Sequence, residues 1–423
     1  MRLSWLYSSR RAAILAAISL FAPALRAQSG SWALVNARIE TVTKGTIERG
    51  TVLIRNGLIE GVGASVSVPA DARVIDYTGR TIYPGFIDLT STLGLPAPPA
   101  PRTATTAEAA IFGAAPDSTV RNVGLEPNRL VANELRLTTA DVRAARDVGI
   151  AAALVAPRQG LFRGLSALVP LRDDTATRWI VKSPVALHMG YQTVQGRYPG
   201  SLLGVIAYQR QSFYDAKRYA LLLDRYKANP RGMPRASYDA DLDALVPVVR
   251  GDMPAFINAG NENEIRRASA LAKEFNLKAT IVGATEGFRA TDALKGMRIS
   301  VVSVDYPDPT AVTGWSYRNA ARHELDDSTT RAAAVKTELE QNAATLNSAG
   351  IRFALASGGV RPADFIANVR KAIAAGLPRQ VAVEALTIRA AEAAGVEQQL
   401  GSIEVGKIAN LLIMEGEALT EGA

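Results

Sequence analysis

The chain of 423 residues can bury a large core, and 48% of its residues are hydrophobic while 21% are charged. These proportions exclude an intrinsically disordered chain and a protein with many membrane spans. The absence of cysteine excludes disulfides, thiolate metal sites and a lipid anchor on cysteine. Two histidines, His188 and His323, are all that the sequence offers to chemistry that needs imidazole.

The first 27 residues have the pattern of a signal peptide. Arg10 and Arg11 precede an apolar run from 12 to 25, and a small residue, Ala27, follows. The run is too short to span a bilayer comfortably, so we predict no membrane anchor. We expect export by the general secretory route, with twin-arginine export as the alternative, to the periplasm or the medium.

Removal of this segment changes the charge of the protein. It carries four arginines and no acidic residue, so the net charge falls from +8 to +4, or 44 basic against 40 acidic residues. This charge is small and scattered along the chain. We therefore predict no binding to nucleic acid.

Residues 28–80 show the alternation and turn signals of β structure. Alternating residues from 33 to 39 predict a first strand, and Asn56-Gly57 supplies the positive φ angles of a tight hairpin. We assign 28–80 to the N-terminal part of a small β-sandwich. We expect residues 397–423 to return to that sandwich as a composite domain.

From residue 81 onward, short apolar runs alternate with helical periods. Such strand-then-helix units predict an α/β fold with a parallel sheet, and seven or eight of them favour a closed (β/α)8 TIM-like barrel over residues 81–396. The predicted strands are 82–89, 151–156, 185–187, 255–258, 279–283, 299–304 and 351–356, with a further one at 167–171.

Two stretches interrupt this order. Residues 95–119 are rich in Pro, Thr and Ala and predict a long surface loop. Residues 190–227 carry seven aromatic side chains and predict a loop and a long helix across the barrel mouth. We expect these aromatic side chains to pack against one another.

The segment Tyr-Pro-Gly-Phe-Ile-Asp at 83–88, between the β meander and the α/β region, resembles the amidohydrolase superfamily, in the branch of imidazolonepropionases and prolidase-like periplasmic hydrolases. The segment 400–411, Leu-Gly-Ser-Ile-Glu-Val-Gly-Lys-Ile-Ala-Asn-Leu, is similar to that family's return into the sandwich. The resemblance spans about residues 33–413. It implies a barrel in which metal-activated water hydrolyses C–N bonds.

The metal ligands that the resemblance implies are missing from this sequence. In the family a His-x-His pair follows the Pro-Gly-Phe-Ile-Asp segment, and here Thr90 and Thr92 stand at those positions. The family's aspartate after the last strand corresponds to Gly358. Because neutral hydroxyls bind zinc poorly, we expect no family-type metal centre.

Carboxylates follow several predicted strands, at the end of a barrel where active sites lie. They are candidates for a general base or for ligands of a hard cation, and alternatively they hydrogen-bond to backbone groups. These residues are Asp88, Glu286, Asp305 and Asp308.

The segment 159–168 contains two glycines and predicts a loop that approaches either a ligand or the protein closely. Arg163 and Ser166 in this loop, His188 after a strand and Asn258 at a strand end are candidates for ligand binding. His188 is alternatively a hydrogen-bonded structural residue. His323 is predicted to be a solvated helix position.

Two functions remain open at this point. The favoured prediction is a pseudoenzyme, an exported amidohydrolase relative without metal or other cofactor, which binds a small molecule or peptide or pairs with itself or a related amidohydrolase. The alternative is an active hydrolase of amides, cyclic amides or dipeptides with a carboxylate-based or metal-free site; if metal-dependent, it would use Zn²⁺, Mn²⁺ or Mg²⁺. The sequence ends soon after residue 414, which predicts a sandwich edge where another chain could add a strand.

Overall fold

The computed structural model describes residues 30–96, 125–172, 180–193, 198–306 and 328–420, without the side chains of residues 328–333. The predicted signal peptide, most of the loop at 95–119, Asp308 and His323 lie outside the described residues. Predictions about these parts of the chain therefore stay predictions.

The described strands and helices follow one another in a mixed α/β order. The strands are β1 (Ser31–Glu40), β2 (Thr46–Arg55), β3 (Leu58–Gly63), β4 (Arg73–Asp76), β5 (Arg80–Pro84), β6 (Phe86–Ser91), β7 (Ile150–Val155), β8 (Phe162–Leu165), β9 (Ala167–Pro170), β10 (Leu187–Gly190), β11 (Ala255–Ala259), β12 (Ala279–Gly283), β13 (Ser300–Ser303), β14 (Phe353–Ala356) and β15 (Leu411–Glu415). The α-helices are α1 (Thr139–Arg146), α2 (Leu202–Ala228), α3 (Ala240–Val249), α4 (Glu262–Phe275), α5 (Thr291–Leu294), α6 (Ser328–Ser348), α7 (Pro362–Ala374), α8 (Arg379–Leu386) and α9 (Ile388–Ala394).

The N-terminal strands and the last strand form one six-stranded sheet, in the order β15-β5-β1-β2-β3 with β4 beside β1. The hairpin predicted at Asn56-Gly57 joins β2 to β3, and both residues have the positive φ that this turn requires. β15 returns to pair antiparallel with β5, with Leu412 opposite Tyr83. The described strands of this region form a single sheet, so the sandwich stays a prediction.

The predicted strand at 82–89 is divided between two sheets. It breaks at Gly85, whose N–H donates to the carbonyl of Asn410 over 2.8 Å. A Cβ atom at Gly85 would lie 2.3 Å from the Cβ of Ala151, so a side chain has no room here. β5 therefore belongs to the N-terminal sheet, whereas β6 begins the α/β region.

The α/β region contains a six-stranded sheet in the order β14-β13-β12-β11-β10-β8 and a three-stranded sheet in the order β6-β7-β9. β10 to β14 are parallel, as predicted. The parallel strand predicted at 167–171 is wrong in direction, because β9 runs antiparallel to β7. The eleven residues between these strands contain β8 instead of a helix, and a parallel return needs a longer crossover.

Both sheets of the α/β region contribute to one buried cluster. Ile87 and Leu154 come from the three-stranded sheet, Phe256 and Val282 come from the six-stranded sheet, and Ala390 of α9 joins them. Among the described residues, no backbone ladder joins β6 to β14 or β8 to β9. A closed eight-stranded barrel therefore stays a prediction.

The long helix predicted within 190–227 is α2, which spans 27 residues and begins with a Ser201 cap. Its Phe213 is fully buried and meets Phe162 edge-on, with ring centroids 5.9 Å apart. Within the segment itself, the rings of Tyr198 and Tyr208 meet with centroids 6.1 Å apart, so the predicted packing is confirmed for this pair. None of the described helices combines the length and the hydropathy that crossing a bilayer requires.

Candidate functional site

A cavity of about 840 Å³ opens at the carboxyl ends of the α/β strands, where ligands bind in folds of this kind. Residues that follow or end seven different strands line it. Among them are Thr90, Thr92, Arg158, Arg163, His188, Asn258, Asp305 and Gly358. The fold thus brings together most of the residues that the sequence singles out.

The residues at the family's metal positions form a hydrogen-bond network. The N–H of Gly358 donates to Oγ1 of Thr90 over 2.8 Å, and the same Oγ1 lies 3.2 Å from Oγ of Ser357. Asp88 accepts from the N–H of Ser357 at 3.0 Å and from its hydroxyl at 2.8 Å. The network ties the end of β6 to the end of β14.

Asp88 is buried behind the cavity instead of lining it. Its Oδ1 also accepts from the N–H of Thr90 at 3.2 Å. Burial raises the pKa of Asp88, and the hydrogen bonds from Ser357 and Thr90 act in the opposite direction. Because both carboxylate oxygens are occupied by protein donors, Asp88 holds two strands together and is poorly placed to be a base.

These residues do not fit a family-type zinc centre. Zinc is bound by imidazole, thiolate or carboxylate, whereas Thr90 offers a neutral hydroxyl that already accepts a backbone hydrogen bond. In the described part of the chain, no group of three or more His, Asp or Glu side chains could hold a metal ion. We therefore derive no chemical step through a metal.

The carboxylate of Asp305 lies against the backbone of Gly358. A Cβ atom on Gly358, which has a φ of +64°, would lie 2.9 Å from Oδ2 of Asp305. Burial raises the pKa of Asp305, and the positive charge of Arg158 opposes this shift. Oδ1 of Asp305 has no hydrogen-bond partner among the described residues.

His188 lies inside β10 instead of following it, because the strand predicted at 185–187 extends to Gly190. Its ring is buried, with the ring of Phe256 5.1 Å away between centroids. Burial, reinforced by the charge of Arg163, lowers the pKa of His188 to about 3, so the imidazole is neutral at physiological pH. Its Nε2 has no hydrogen-bond partner within the described structure.

Arg163 lies on β8, so the segment predicted as a loop is partly a strand. Its Nε donates to the carbonyl of Gly160 over 3.1 Å. Burial is the main cause that lowers the pKa of Arg163 to about 10, and the charge of Arg158 adds to it. The neighbouring Gly164 approaches protein and not ligand, since a Cβ there would lie 2.5 Å from the carbonyl oxygen of Arg129.

The remaining predicted residues divide into two groups. Asn258 lines the cavity, but Ser166 and Glu286 do not. The hydroxyl of Ser166 donates to the carbonyl of Ala186 at 3.3 Å. Oε2 of Glu286 accepts the N–H of Glu262 at 3.0 Å, at the N-terminus of α4. Both residues therefore stabilise the backbone near the site.

Sequence reasoning missed Arg158, Ser357 and Tyr191. Arg158 follows the predicted strand at 151–156 by two residues, and this position could have identified it. Ser357 follows the last predicted strand in the same way. Tyr191 lines the cavity with a buried hydroxyl that has no partner in the described ranges, and burial raises its pKa.

Comparisons with known proteins agree with this architecture. The amidohydrolase family model matches residues 224–421. An amidohydrolase from Thermotoga maritima MSB8 is 22% identical with a TM-score of 0.71, over 92% of this chain and 94% of that one. A putative prolidase from Bifidobacterium longum is 17% identical with a TM-score of 0.52, over 92% and 90%. Molinate hydrolase is 16% identical with a TM-score of 0.51, over 93% and 91%.

No curated protein matches the chain in sequence. At these low identities, the likeness to solved structures shows the fold, which is a TIM-barrel-like α/β fold.

Proposed function

We propose that this chain, which belongs to the amidohydrolase superfamily, has kept the cavity of that superfamily for binding a small ligand and has lost metal-dependent hydrolysis. The hydrogen-bond network of Asp88, Thr90, Ser357 and Gly358 carries this proposal. Hydroxyl and backbone groups satisfy one another at the positions where the family places metal ligands.

The energetics of this network support the proposal. A hydrogen bond within a protein typically contributes about 0.5–1.5 kcal/mol, and leaving a buried donor without its partner costs about 1–3 kcal/mol. A metal ion at Thr90 would have to displace the N–H of Gly358, which would then be left without a partner in a partly buried place. The family position on β14 has no side chain to offer in exchange. The network therefore opposes metal binding as well as failing to provide ligands.

Metal content and turnover test this proposal together. The mature protein is purified with Zn²⁺, Mn²⁺ and Mg²⁺ present and analysed for bound metal, then assayed against cyclic amides and dipeptides. We expect much less than one ion per chain and no hydrolysis above the background rate. One or two tightly bound ions per chain, or turnover that a chelator abolishes, would contradict the proposal.

A metal-free hydrolase is the alternative, and Asp305 is the observation in its favour. Asp305 lines the cavity just beyond β13, its buried Oδ1 has no partner in the described part of the chain, and burial raises its pKa toward the range of a general base. Turnover that resists chelators and disappears in Asp305→Asn would favour this alternative. Asp364→Asn, a change on the exposed surface of α7, is the matched control.

Export is a separate proposal, supported by the basic, apolar and small-residue order of residues 1–27. Expression of the full chain in a Gram-negative host, followed by fractionation and N-terminal sequencing, tests it. We expect a periplasmic or secreted protein that begins near residue 28. Cytoplasmic protein that keeps Met1 would contradict it.

Pairing with a second copy, or with a related amidohydrolase, is also a proposal. It is supported by the place of β15 at an edge of the N-terminal sheet, as far as the described strands show. Light scattering on the purified protein tests the first form of pairing. A strict monomer at all concentrations would contradict it.

A further inference from the structure

One wall of the cavity carries two buried polar groups, the guanidinium of Arg163 and the imidazole of His188. The side chains of Arg163 and His188 are 6% and 3% exposed, and both line the cavity. The hydrogen bond described for the Arg163 guanidinium goes to a backbone carbonyl and not to a carboxylate, and Nε2 of His188 has no described partner. Burying a charge without a partner is costly, so such a group indicates something that binds there.

The two groups lie on the same face of β10. Positions 188 and 190 face the same side of the strand, because every second residue shares a face. The guanidinium of Arg163 occupies the space where a side chain at position 190 would begin. A Cβ on Gly190 would lie 2.4 Å from Nη2 of Arg163. His188 lies opposite Gly164 and Met189 lies opposite Phe162, so Arg163 is the extra residue of a bulge between these pairs and is released from the normal alternation of the strand. The imidazole and the guanidinium are therefore neighbours on the cavity wall.

The surrounding residues hold this arrangement in place. The carbonyl of Gly160 accepts a hydrogen bond from Nε of Arg163, which leaves the outer nitrogens of the guanidinium available to donate to a ligand. Gln209, a fully buried residue of α2, donates a hydrogen bond of 2.9 Å from its side-chain amide to the carbonyl of Gly190. The Nε end of the guanidinium is thus held by the backbone before a ligand arrives, which lowers the entropic cost of binding, while the outer nitrogens can still move.

Resting on the proposed function, we infer that the cavity binds an organic monocarboxylate, whose carboxylate lies between the guanidinium of Arg163 and Nε2 of His188. The flat guanidinium can donate two parallel hydrogen bonds to a carboxylate, and a neutral imidazole can donate one more from Nε2. Arg158, at the exposed mouth of the cavity, adds a second positive charge along the entry path.

Other charges of the cavity favour a singly charged ligand over phosphate. Asp305 and Glu264 line the same cavity, and a doubly charged anion would be repelled by both. Inorganic phosphate therefore serves as a competing anion in the test. The volume of about 840 Å³ leaves room for an organic group attached to the carboxylate.

Calorimetry on the mature protein tests the inference with three probes: N-acetyl-L-alanine, its uncharged amide, and inorganic phosphate. We expect the carboxylate to bind, the amide to bind at least about tenfold more weakly, and phosphate to bind no better than the amide. Native mass spectrometry of freshly purified protein gives an independent readout, in which we expect a bound organic acid.

Variants assign the binding to this wall. Arg163→Met keeps the length of the side chain and removes the charge, and we expect it to weaken carboxylate binding about 10- to 100-fold. Arg361→Met removes an exposed arginine of the α7 N-terminus and should bind like the wild type. Because Arg163 is buried without a carboxylate partner, we expect Arg163→Met to fold and to melt no lower than the wild type.

The outcomes separate this inference from the proposed function. Metal-free, inactive protein that binds carboxylate and amide equally, or binds neither and carries no organic acid, would overturn the inference and leave the proposed function standing. Carboxylate binding that survives Arg163→Met would also overturn it. Hydrolysis with Arg163-dependent affinity would instead refute the proposed function and keep the carboxylate site.

Discussion

Gly358 and Asp305 share a space that has room for one side chain. A Cβ on Gly358 would lie 2.8 Å from the Cβ of Asp305, which is closer than a Cβ atom approaches a non-bonded carbon atom in proteins. At the family's aspartate position, β14 therefore carries no side chain, and the carboxylate at this end of the cavity comes from the end of β13. An aspartate at 358 and the present place of Asp305 exclude each other.

This relationship predicts that Gly358→Asp destabilises the protein unless Asp305 is also changed. The positive φ costs about 1 kcal/mol for a side chain, and the contact with Asp305 adds to that. We expect the double variant Gly358→Asp with Asp305→Gly to lose at least about 1 kcal/mol less unfolding free energy than the two single variants together. This is the usual size of the coupling between residues in contact. Denaturant unfolding of both single variants and the double variant gives this coupling energy.

Gly350→Ala is the control for strain alone. Its φ of +71° is close to that of Gly358, yet no atom lies within 4 Å of the position of its Cβ. We expect Gly350→Ala to cost about 1 kcal/mol regardless of residue 305. Strict additivity of Gly358→Asp and Asp305→Gly would show that the two side chains do not compete.

The raised pKa of Asp88 makes its contribution to stability depend on pH. A carboxyl group with a pKa above its unfolded value binds more protons in the folded state, so stability falls as pH rises from about 4 through the folded pKa. Asp88→Asn removes this dependence. We expect the free energy of unfolding of the wild type to exceed that of Asp88→Asn by a larger amount at pH 4 than at pH 7.

Urea unfolding of both proteins across this pH range measures the difference. Asp364→Asn replaces an aspartate of the α7 surface in the same way and controls for general charge effects. A wild-type advantage over Asp88→Asn that grows toward pH 7 would contradict the prediction, since it would mean that the network stabilises the ionised form more than burial disfavours it.

Carboxylate binding should be insensitive to pH until Arg163 loses its charge. With its pKa lowered to about 10, Arg163 is charged below that pH, and the binding of an anion is lost as pH rises through about 10. With a pKa of about 3, His188 stays neutral from pH 5 to 8 and contributes no change there. The groups facing the guanidinium are Arg158, which lowers its pKa, and Glu264, which raises it.

Titration calorimetry with N-acetyl-L-alanine between pH 5 and pH 11 follows this dependence. We expect a flat region up to about pH 9 and a decline above it. In Arg163→Lys the decline should start from a weaker affinity, because an ammonium cannot donate the same paired hydrogen bonds. A transition between pH 5 and 7 would show that another group of the cavity, either His188 or Asp305 with its raised pKa, ionises in the binding reaction.

Gly190→Ala should weaken carboxylate binding with little effect on stability. The added methyl group would lie 2.4 Å from Nη2 of Arg163, and the flexible end of that side chain can move away at low cost. Displacing the guanidinium from its bound position should reduce affinity about tenfold, by analogy with other losses of a charged hydrogen bond.

Gly63→Ala is the matched control. It lies in β3 of the N-terminal sheet, and the nearest atom to its Cβ position is 3.6 Å away. We expect Gly63→Ala to bind the carboxylate like the wild type. In both Gly63→Ala and Gly190→Ala, we expect the unfolding free energy to change by less than about 1 kcal/mol. Unchanged affinity in Gly190→Ala would show that the guanidinium does not bind the ligand from its present place.

The sequence by itself determined the α/β fold class, the approximate positions of most strands and the absence of the family's histidines. These features depend on local properties: apolar periodicity, the Asn56-Gly57 turn, and the motif at 83–88. The resemblance also predicts where the chain departs from the family, at Thr90, Thr92 and Gly358. Residue type alone excludes imidazole at these positions.

The tertiary structure alone decided what replaces the missing ligands. Asp88 and Ser357 are 269 residues apart in the chain, and their hydrogen bonds exist because β6 and β14 meet at one edge. The guanidinium of Arg163 over Gly190 and the contact of Asp305 with Gly358 likewise depend on which strands become neighbours. Local periodicity carries no information about such contacts, because chain packing, and not the spacing of residues, brings these side chains together.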